Sequence, residues 1–566
     1  MAEAADRTKD KLYTRKGALW RERASWDSHW KDLSTSILPR NSRFLVTDRN
    51  KGDKRQNHIY DSTATKALRT LVAGMMAGMT SPARPWFRLS IADQDLLKHG
   101  PVQVWLAQVT RMMLRIFATS NTYNALQSCY KELGCFGTHL IITQPHFENV
   151  IHHTVMTAGE YALACDAYGR VDTAYREFQK PVGAVVKEFG LKNLSNRTRS
   201  LYDQGSLDEW VTLVHAVEPR ADRDPSKLDA PNMAWRSCYF EQEGPRDKYL
   251  RESGYKDFPG LAPRWDLAGQ DIYGHSPGMD ALGDIRQLQH EQLRKAQGID
   301  YMSKPPYRLP THMKGQEADT LPGGVTYMDE TTGGGVRNLF DVNLNLDHLL
   351  ADIQDVRERI RSTFYADLFL MLATSANNLR MTATEVAERH EEKLLMLGPV
   401  LERLHNELLD PLIENTFVRM VTAGILPPPP PELEGMDLNV EFVSMLAQAQ
   451  RAVATNSIDR YVGSLGVVAG IKPEVLDKFD ADAWAEQYSD MLGVPPELLV
   501  AGDKVALVRK RRADEQAQAA ALAQAQAGAE ALNKAGGVAT QGGASNAGAD
   551  ILNQFSGYSS PAPQGY

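Results

Sequence analysis

Cysteine is scarce in this chain, and the scarcity excludes the folds that disulfides or zinc hold together. Four cysteines, Cys129, Cys135, Cys165 and Cys238, stand among 566 residues. Cys129 and Cys135 miss the CxxC spacing of a zinc knuckle, and the other two are isolated. They read as plain buried thiols of a reducing compartment. Long apolar runs are missing too. The most apolar stretch, 71–79, is about half a membrane span and carries Gly74 and Gly78. The polar and charged start, Met1 to Asp6, has no apolar run behind it. A soluble intracellular product with no secretory signal and no membrane partner is therefore expected. An excess of positive charge is also absent: 63 Lys and Arg against 71 Asp and Glu leave a formal net charge of −8. A protein that grips nucleic acid over its whole surface needs the opposite balance. One that lets DNA slide past does not.

The motifs of catalysis are wanting as well. There is no GxxxxGK[ST] phosphate loop, and Gly333-Gly334-Gly335 lacks both the lysine and a strand–helix context. His390-Glu391 starts like a zinc helix, but Leu394 stands where HExxH needs histidine. The GxSxG spacing occurs at Gly274-His275-Ser276-Pro277-Gly278, where Ser276-Pro277 reads as a helix start and not as a nucleophile elbow. His146, His152 and His153 lie near Asp166 and Asp172 in a strand-like region and have the chemistry to hold a metal, although polar strand positions explain them more simply. No enzyme activity, metal or cofactor is expected.

What is present is a long, punctuated pattern of mostly helical elements, enough chain for two to four packed regions. The first hundred residues read as helix, with Leu12, Leu19, Trp20, Trp26, Trp30 and Leu33 at helical spacing. Asp61-Ser62-Thr63 then precedes 67–79, whose Gly and Ala positions allow close helix approach. Helices are expected over 102–117 and 121–136. From 137 to 270 the texture becomes α+β. Strand candidates lie at 140–142, 150–155, 161–165, 171–178, 209–218, 233–242, 247–252 and 261–267, with a turn at Tyr168-Gly169-Arg170 and a helix near 181–189. Ser276-Pro277 caps a helix carrying an apolar stripe of Leu282, Ile285, Leu288 and Leu293, which is expected to stop at Gly298. The stretch 299–342 is rich in Pro and Gly and reads as a turn-rich insertion. A second helix begins near Asn345, with Leu346, Leu349, Ile353, Val356, Ile360 and Phe364 on one side and Asp347, Asp352, Asp355, Arg357, Glu358 and Arg361 on the other. A polar loop follows. Thr382-Ala383-Thr384-Glu385 is a capping box opening a long helix, 383–423, that Pro399 and Pro411 must kink. Pro427 to Pro431 end it, a smaller helical region spans about 441–510, and alanine favours helix to about Asn533. Arg509-Lys510-Arg511-Arg512 is the one basic run, read as a solvated helix face.

Several blocks, in order, resemble the head-tail connector (portal) family of podovirus-type bacteriophages. They are Tyr60-Asp61-Ser62-Thr63-Ala64 leading to Met75-Met76-Ala77-Gly78-Met79, then Pro85-Trp86-Phe87-Arg88-Leu89 and 169–178 (GRVDTAYREF). Tyr273-Gly274-His275-Ser276-Pro277-Gly278 and Arg380-Met381-Thr382-Ala383-Thr384-Glu385-Val386 complete the set. The likeness spans roughly 10–430. It implies an α+β, predominantly helical portal-type fold. The wing would be 1–275, stem helix 1 276–298, the clip 299–342, stem helix 2 343–370 and the tunnel loop 371–382. A long kinked wing helix and spacer (383–431), a helical crown (432–512) and an Ala/Gln/Gly-rich tail (513–566) would follow. The resemblance further implies a homo-oligomeric ring of twelve at one capsid vertex of the virion, assembled in the host cytoplasm. The ring would conduct double-stranded DNA without reading its sequence. Its partners would be the terminase large subunit, a tail adaptor, and the major capsid and scaffolding proteins. Thr374, Ser375, Asn377, Asn378 and Arg380 become candidates for transient phosphate contacts, with an ordinary helix-connecting loop, and an intersubunit ion pair for Arg380, as the other account of them. Asp347, Asp352, Asp355 and Glu358 become candidates for an acidic channel lining, with solvated or intersubunit ion-paired faces as the other account of them. Another oligomeric virion protein, a tail adaptor or an internal core protein, is the alternative.

Overall fold

The computed structural model describes residues 2–44, 52–53, 55, 58–97, 99–227, 229–244, 249–303, 307–308, 337–338, 347–369, 397–433, 438–442, 461–470, 472–492 and 502–536. Two compact units are present, Met1–Ala92 with Val104–Gly493, and Asp93–Gln103 with Val494–Tyr566.

The first unit opens with helix α1 (Ala2–Ser36), followed by α2 (Thr63–Gly78), strand β1 (Phe87–Ile91), α3 (Gly100–Thr119) and α4 (Thr122–Phe136). The α+β block then begins. β2 (Leu140–His146), β3 (Val150–Met156) and the two-residue β9 (Gly260–Leu261) form a sheet in the order β3-β2-β9. β4 (Tyr161–Cys165), β5 (Val171–Pro181), β6 (Trp210–Pro219), β7 (Trp235–Glu241) and β8 (Arg251–Tyr255) form an antiparallel meander in chain order. Its β4–β5 turn is the expected one: Asp166 Oδ1 accepts from the amides of Tyr168 and Arg170, and Gly169 takes φ +77°. Alternation sends Ala162, Tyr175, Val214, Ala216, Cys238 and Phe240 to one face, where Leu12 and Leu19 of α1 cover them. Leu213 and Tyr239 lie on the other face, packed with Val185 of helix α5 (Val182–Phe189) and with Leu194 and Leu250. Leu194 precedes α6 (Asn196–Asp203), whose cap Ser195 accepts from the Thr198 amide. Burying both faces of a sheet in this way supplies most of the driving force for folding.

Ser276 caps the next helical turn as expected. Its Oγ accepts from the Met279 amide and donates to the Cys135 carbonyl, and Pro277 stands at the first helical position. After that turn come α7 (Leu282–Ser303) and α8 (Asp347–Thr363). Between them, β10 (Tyr307–Arg308) pairs antiparallel with β11 (Arg337–Asn338), so the two ends of the insertion meet. Helical residues 397–404 run into a π-helical turn, His405–Leu409, and then α9 (Asp410–Ala423). Pro411 has no amide to donate, and the Asp410 amide reaches five residues back to His405, so the proline is absorbed as a bulge. β12 (Leu438–Phe442), helical residues 461–469, a 3-10 turn (Pro473–Lys478) and α10 (Ala481–Leu492) follow. In the second unit, α11 (Gly502–Gly536) is the long helix, and 509–512 is exposed on it.

Several expectations are corrected. Residues 87–91 are a strand, not helix, and they pair in full antiparallel register with 438–442, which the sequence placed in a helical region. The strand expected over 261–267 is only Gly260–Leu261 plus isolated bridges, because Pro263 cannot donate to a ladder. α7 continues past Gly298 to Ser303, since an interior glycine weakens a helix by about 1 kcal/mol without ending it. The small-residue approach on α2 is real: a Cβ at Gly74 would lie 2.1 Å from the Phe369 ring. No described helix is long and apolar enough to cross a membrane.

Candidate functional site

The two helices that flank the insertion pack antiparallel along one apolar seam. Leu282, Ile285 and Leu288 of α7 are buried with Ile353, Val356 and Ile360 of α8. The antiparallel sense follows from two pairings. Arg359 reaches Asp284 at 3.6 Å, and Asp352 stands beside Glu291, about two turns further along α7 and two turns back along α8. The outward face of α8 carries Asp347, Asp352, Asp355 and Glu358, all exposed. Arg359 also pairs with Asp355 at 3.5 Å. The other predicted group, Thr374, Ser375, Asn377, Asn378 and Arg380, lies outside the described residues, as do most of the insertion and the start of the long helix.

Asp61, which the sequence offered only as part of a helix-start signal, is the point where the helix pair is anchored. Its Oδ1 accepts from the amide and hydroxyl of Thr63 at 2.8 and 2.6 Å, which starts α2. Its Oδ2 accepts from Arg357 Nε and Nη2 at 3.0 and 2.7 Å and from Gln292 Nε2 at 3.2 Å. Gln289 takes the backbone: Oε1 accepts from the Tyr60 and Asp61 amides, and Nε2 donates to the Asp61 carbonyl. One aspartate thus binds α2, α7 and α8. Burial raises its pKa, but hydrogen bonds from Thr63 and Arg357 outweigh that and hold it below the ordinary value.

A second anchor joins the helical run 397–423 to the sheet block. Arg264, 3% exposed at its side chain, donates to both oxygens of Glu407 and to the carbonyls of Gly169 and Asp271, and Glu407 also accepts from the Arg264 amide. Glu407 sits within the π-helical turn, which rotates it onto the arginine. Neither anchor was legible as a pair, although both partners of the first lie in stretches the sequence singled out.

His146, His152 and His153, the sequence's candidate metal ligands, have other partners or positions in the sheet. His153 is buried, its ring nitrogens on the hydroxyls of Thr122 and Thr143, and burial followed by the charge of His152 lowers its pKa to about 4. His146 accepts from the Asn149 amide, and Asp166 is spent on the β4–β5 turn. Among the described residues no group of three His, Cys, Asp or Glu is placed to hold a metal. The four thiols are free.

The family model described as bacteriophage head to tail connecting protein matches residues 9–499. A probable portal protein of Bordetella phage BPP-1 is 62% identical over 559 residues, covering 99% of this chain and 100% of that one. The chain belongs to the bacteriophage head-to-tail connecting protein family. The portal protein of Salmonella phage epsilon15 is 44% identical over 528 residues, 93% of this chain and 95% of its own. A chain from the virion of a native gene transfer agent particle is matched over 76% of this chain and 99% of its own, at 11% identity and a TM-score of 0.32, too remote to bear on the fold. As a portal, or head-to-tail connector, the protein is a structural part of the phage virion at the junction of head and tail, and not an enzyme.

Proposed function

We propose that twelve copies of this connector close into a ring at one capsid vertex, through which double-stranded DNA passes during packaging and ejection. The observation that carries the reading is the helix pair around a closed insertion. Its single seam is narrow, its far face is acidic, and its root is fixed to the rest of the subunit through Asp61. In this reading 1–275 is the wing, the helix pair (276–298 and 343–370) the stem, 299–342 the clip, 371–382 the tunnel loop, 383–431 the long wing helix and spacer, and 432–512 the crown. A cyclic ring repeats one heterologous interface until it closes, and a stem with one narrow seam gains from neighbours on both sides. Asp347, Asp352, Asp355 and Glu358 would keep a sliding duplex from sticking, since each phosphate neutralised by a cation adds affinity and stalls movement. Thr374, Ser375, Asn377, Asn378 and Arg380 would touch phosphates at the constriction. The clip would meet the terminase large subunit during assembly in the host cytoplasm and the tail adaptor afterwards, and the outer wing would meet capsid and scaffolding proteins.

Negative-stain microscopy of the purified chain is the direct test. Rings with a central hole are expected, and a monomer with metal-dependent nuclease activity would overturn the reading. Deleting 374–379, or reversing Asp347 and Glu358 to lysine, is expected to reduce packaged or retained genome while rings persist. Loss of the rings would assign those residues to assembly instead.

A further inference from the structure

The helix pair carries opposite charge on its two flanks, and among the described residues neither flank is fully balanced. At about 100° per residue, Arg357 and Arg361 fall on one flank of α8, and Asp352 and Asp355 fall roughly half a turn around it. The basic flank faces a cleft of about 630 Å³ whose lining includes Lys66, Thr70, Arg357, Arg361, Ala366 and Asp367. Arg357 is committed to Asp61. Lys66 and Arg361 are exposed, and among the described residues neither side chain has a hydrogen bond or ion pair.

The opposite flank holds carboxylates that crowd one another. Glu291 of α7 and Asp352 of α8 meet across the pair. Burial, and then the Asp352 carboxylate, push Glu291 up from the ordinary glutamate range against a hydrogen bond from Gln287. Asp284 and Asp355 share Arg359. Among the described residues the cation that acts on Glu291 is Arg359, which Asp284 and Asp355 already share, so two like charges side by side are incompletely compensated.

Resting on the ring reading above, we propose that the cleft beside Asp61 receives a second copy of this chain: Lys66 and Arg361 of one subunit pair with Glu291 and Asp352 of the next. A heterologous interface needs two different, complementary patches on each subunit, and these two lie on opposite flanks of one helix pair, where successive copies in a ring present them to each other. The four carboxylates of α8 are thereby divided by task. Asp352 belongs to the subunit interface and Asp355 sits at its edge, whereas Asp347 and Glu358 remain for the channel.

The test is a charge exchange read by mass photometry and microscopy, with circular dichroism melts to show that each variant folds. All four positions lie at the surface or are only partly covered, so reversal should leave the subunit folded. Lys66→Glu with Arg361→Glu is expected to raise the concentration at which rings form by at least about tenfold, as is Glu291→Lys with Asp352→Lys. Combining all four is expected to restore rings, since every interface regains opposite charges. If a reversal variant does not fold, Lys66→Gln with Arg361→Gln replaces it, and a rise in that concentration is again expected. Rings that form unchanged in the reversed or neutral variants would overturn the pairing, as would loss of rings that the four-fold exchange fails to rescue. A wild-type chain that forms no rings would instead sink the ring reading itself.

Discussion

Glu407→Ala is expected to destabilise the folded subunit by about 3–5 kcal/mol, the cost of stranding a buried charge whose partner has been removed. Arg264 is the stranded group. With Glu407 gone, its guanidinium keeps carbonyl acceptors from Gly169 and Asp271 but no countercharge, and its own amide loses an acceptor. Water reaches it poorly, because its side chain is 3% exposed. Glu407→Gln retains volume and one oxygen and should cost less, about 1–3 kcal/mol. Glu402, exposed on the same helix, is the control, and its alanine variant should stay within about 0.5 kcal/mol of wild type. Urea unfolding followed by tryptophan fluorescence suits the comparison, because Trp265 adjoins the pair and is buried. Equal midpoints for Glu407→Ala and Glu402→Ala would show that the anchor is dispensable.

Asp61→Ala is expected to have the next largest effect, about 2–4 kcal/mol, because it removes an acceptor from Thr63, Arg357 and Gln292 at once. The partial exposure of Arg357 keeps the figure below that for Glu407. Asp61 also predicts a pH dependence. Its folded pKa lies below the ordinary 3.8, so its contribution is fully present above that value and fades as pH falls through the lower, folded one. The wild type should lose part of its stability in that acid window, and Asp61→Asn should lose less there while being weaker at neutral pH. Identical acid profiles for the two proteins would remove Asp61 from the account. Limited proteolysis near residue 60 gives a second readout, since the peptide at Tyr60–Asp61 is held by Gln289 as well.

Much of this architecture could be read along the chain because the signals were local. A spacing of three to four residues identified both helices of the pair, and the buried Ile353, Val356 and Ile360 are the residues that spacing selected. Ser276-Pro277 announced a helix start in chemistry that needs no distant partner. The strand block came from alternation and a Gly169 turn. Pairings that span the chain left no such trace. Nothing in the residues around Arg264 indicates that its partner is Glu407, and the bulge that aims Glu407 follows from Pro411 only after the helix has formed. Asp61 was visible as a helix-start residue because Thr63 is two positions away, but Arg357 is nearly three hundred away and was read only as part of a charged face. β1 was missed for the same reason: five residues between prolines and a helix say little until Leu438–Phe442 lies beside them. The carboxylates of α8 were legible as an exposed face, whereas the crowding of Asp352 against Glu291 required knowing where α7 lies.

The ladder between Phe87–Ile91 and Leu438–Phe442 also sets a schedule for synthesis. About 350 residues separate the two strands, so at roughly 5–20 residues per second the first waits about 20–70 s for the second to leave the ribosome. During that interval its backbone edge is open to any other extended segment, including one on a nascent chain nearby. The late strand therefore acts as a completion signal: only a chain translated past Phe442 has this edge closed, and truncated products keep it exposed.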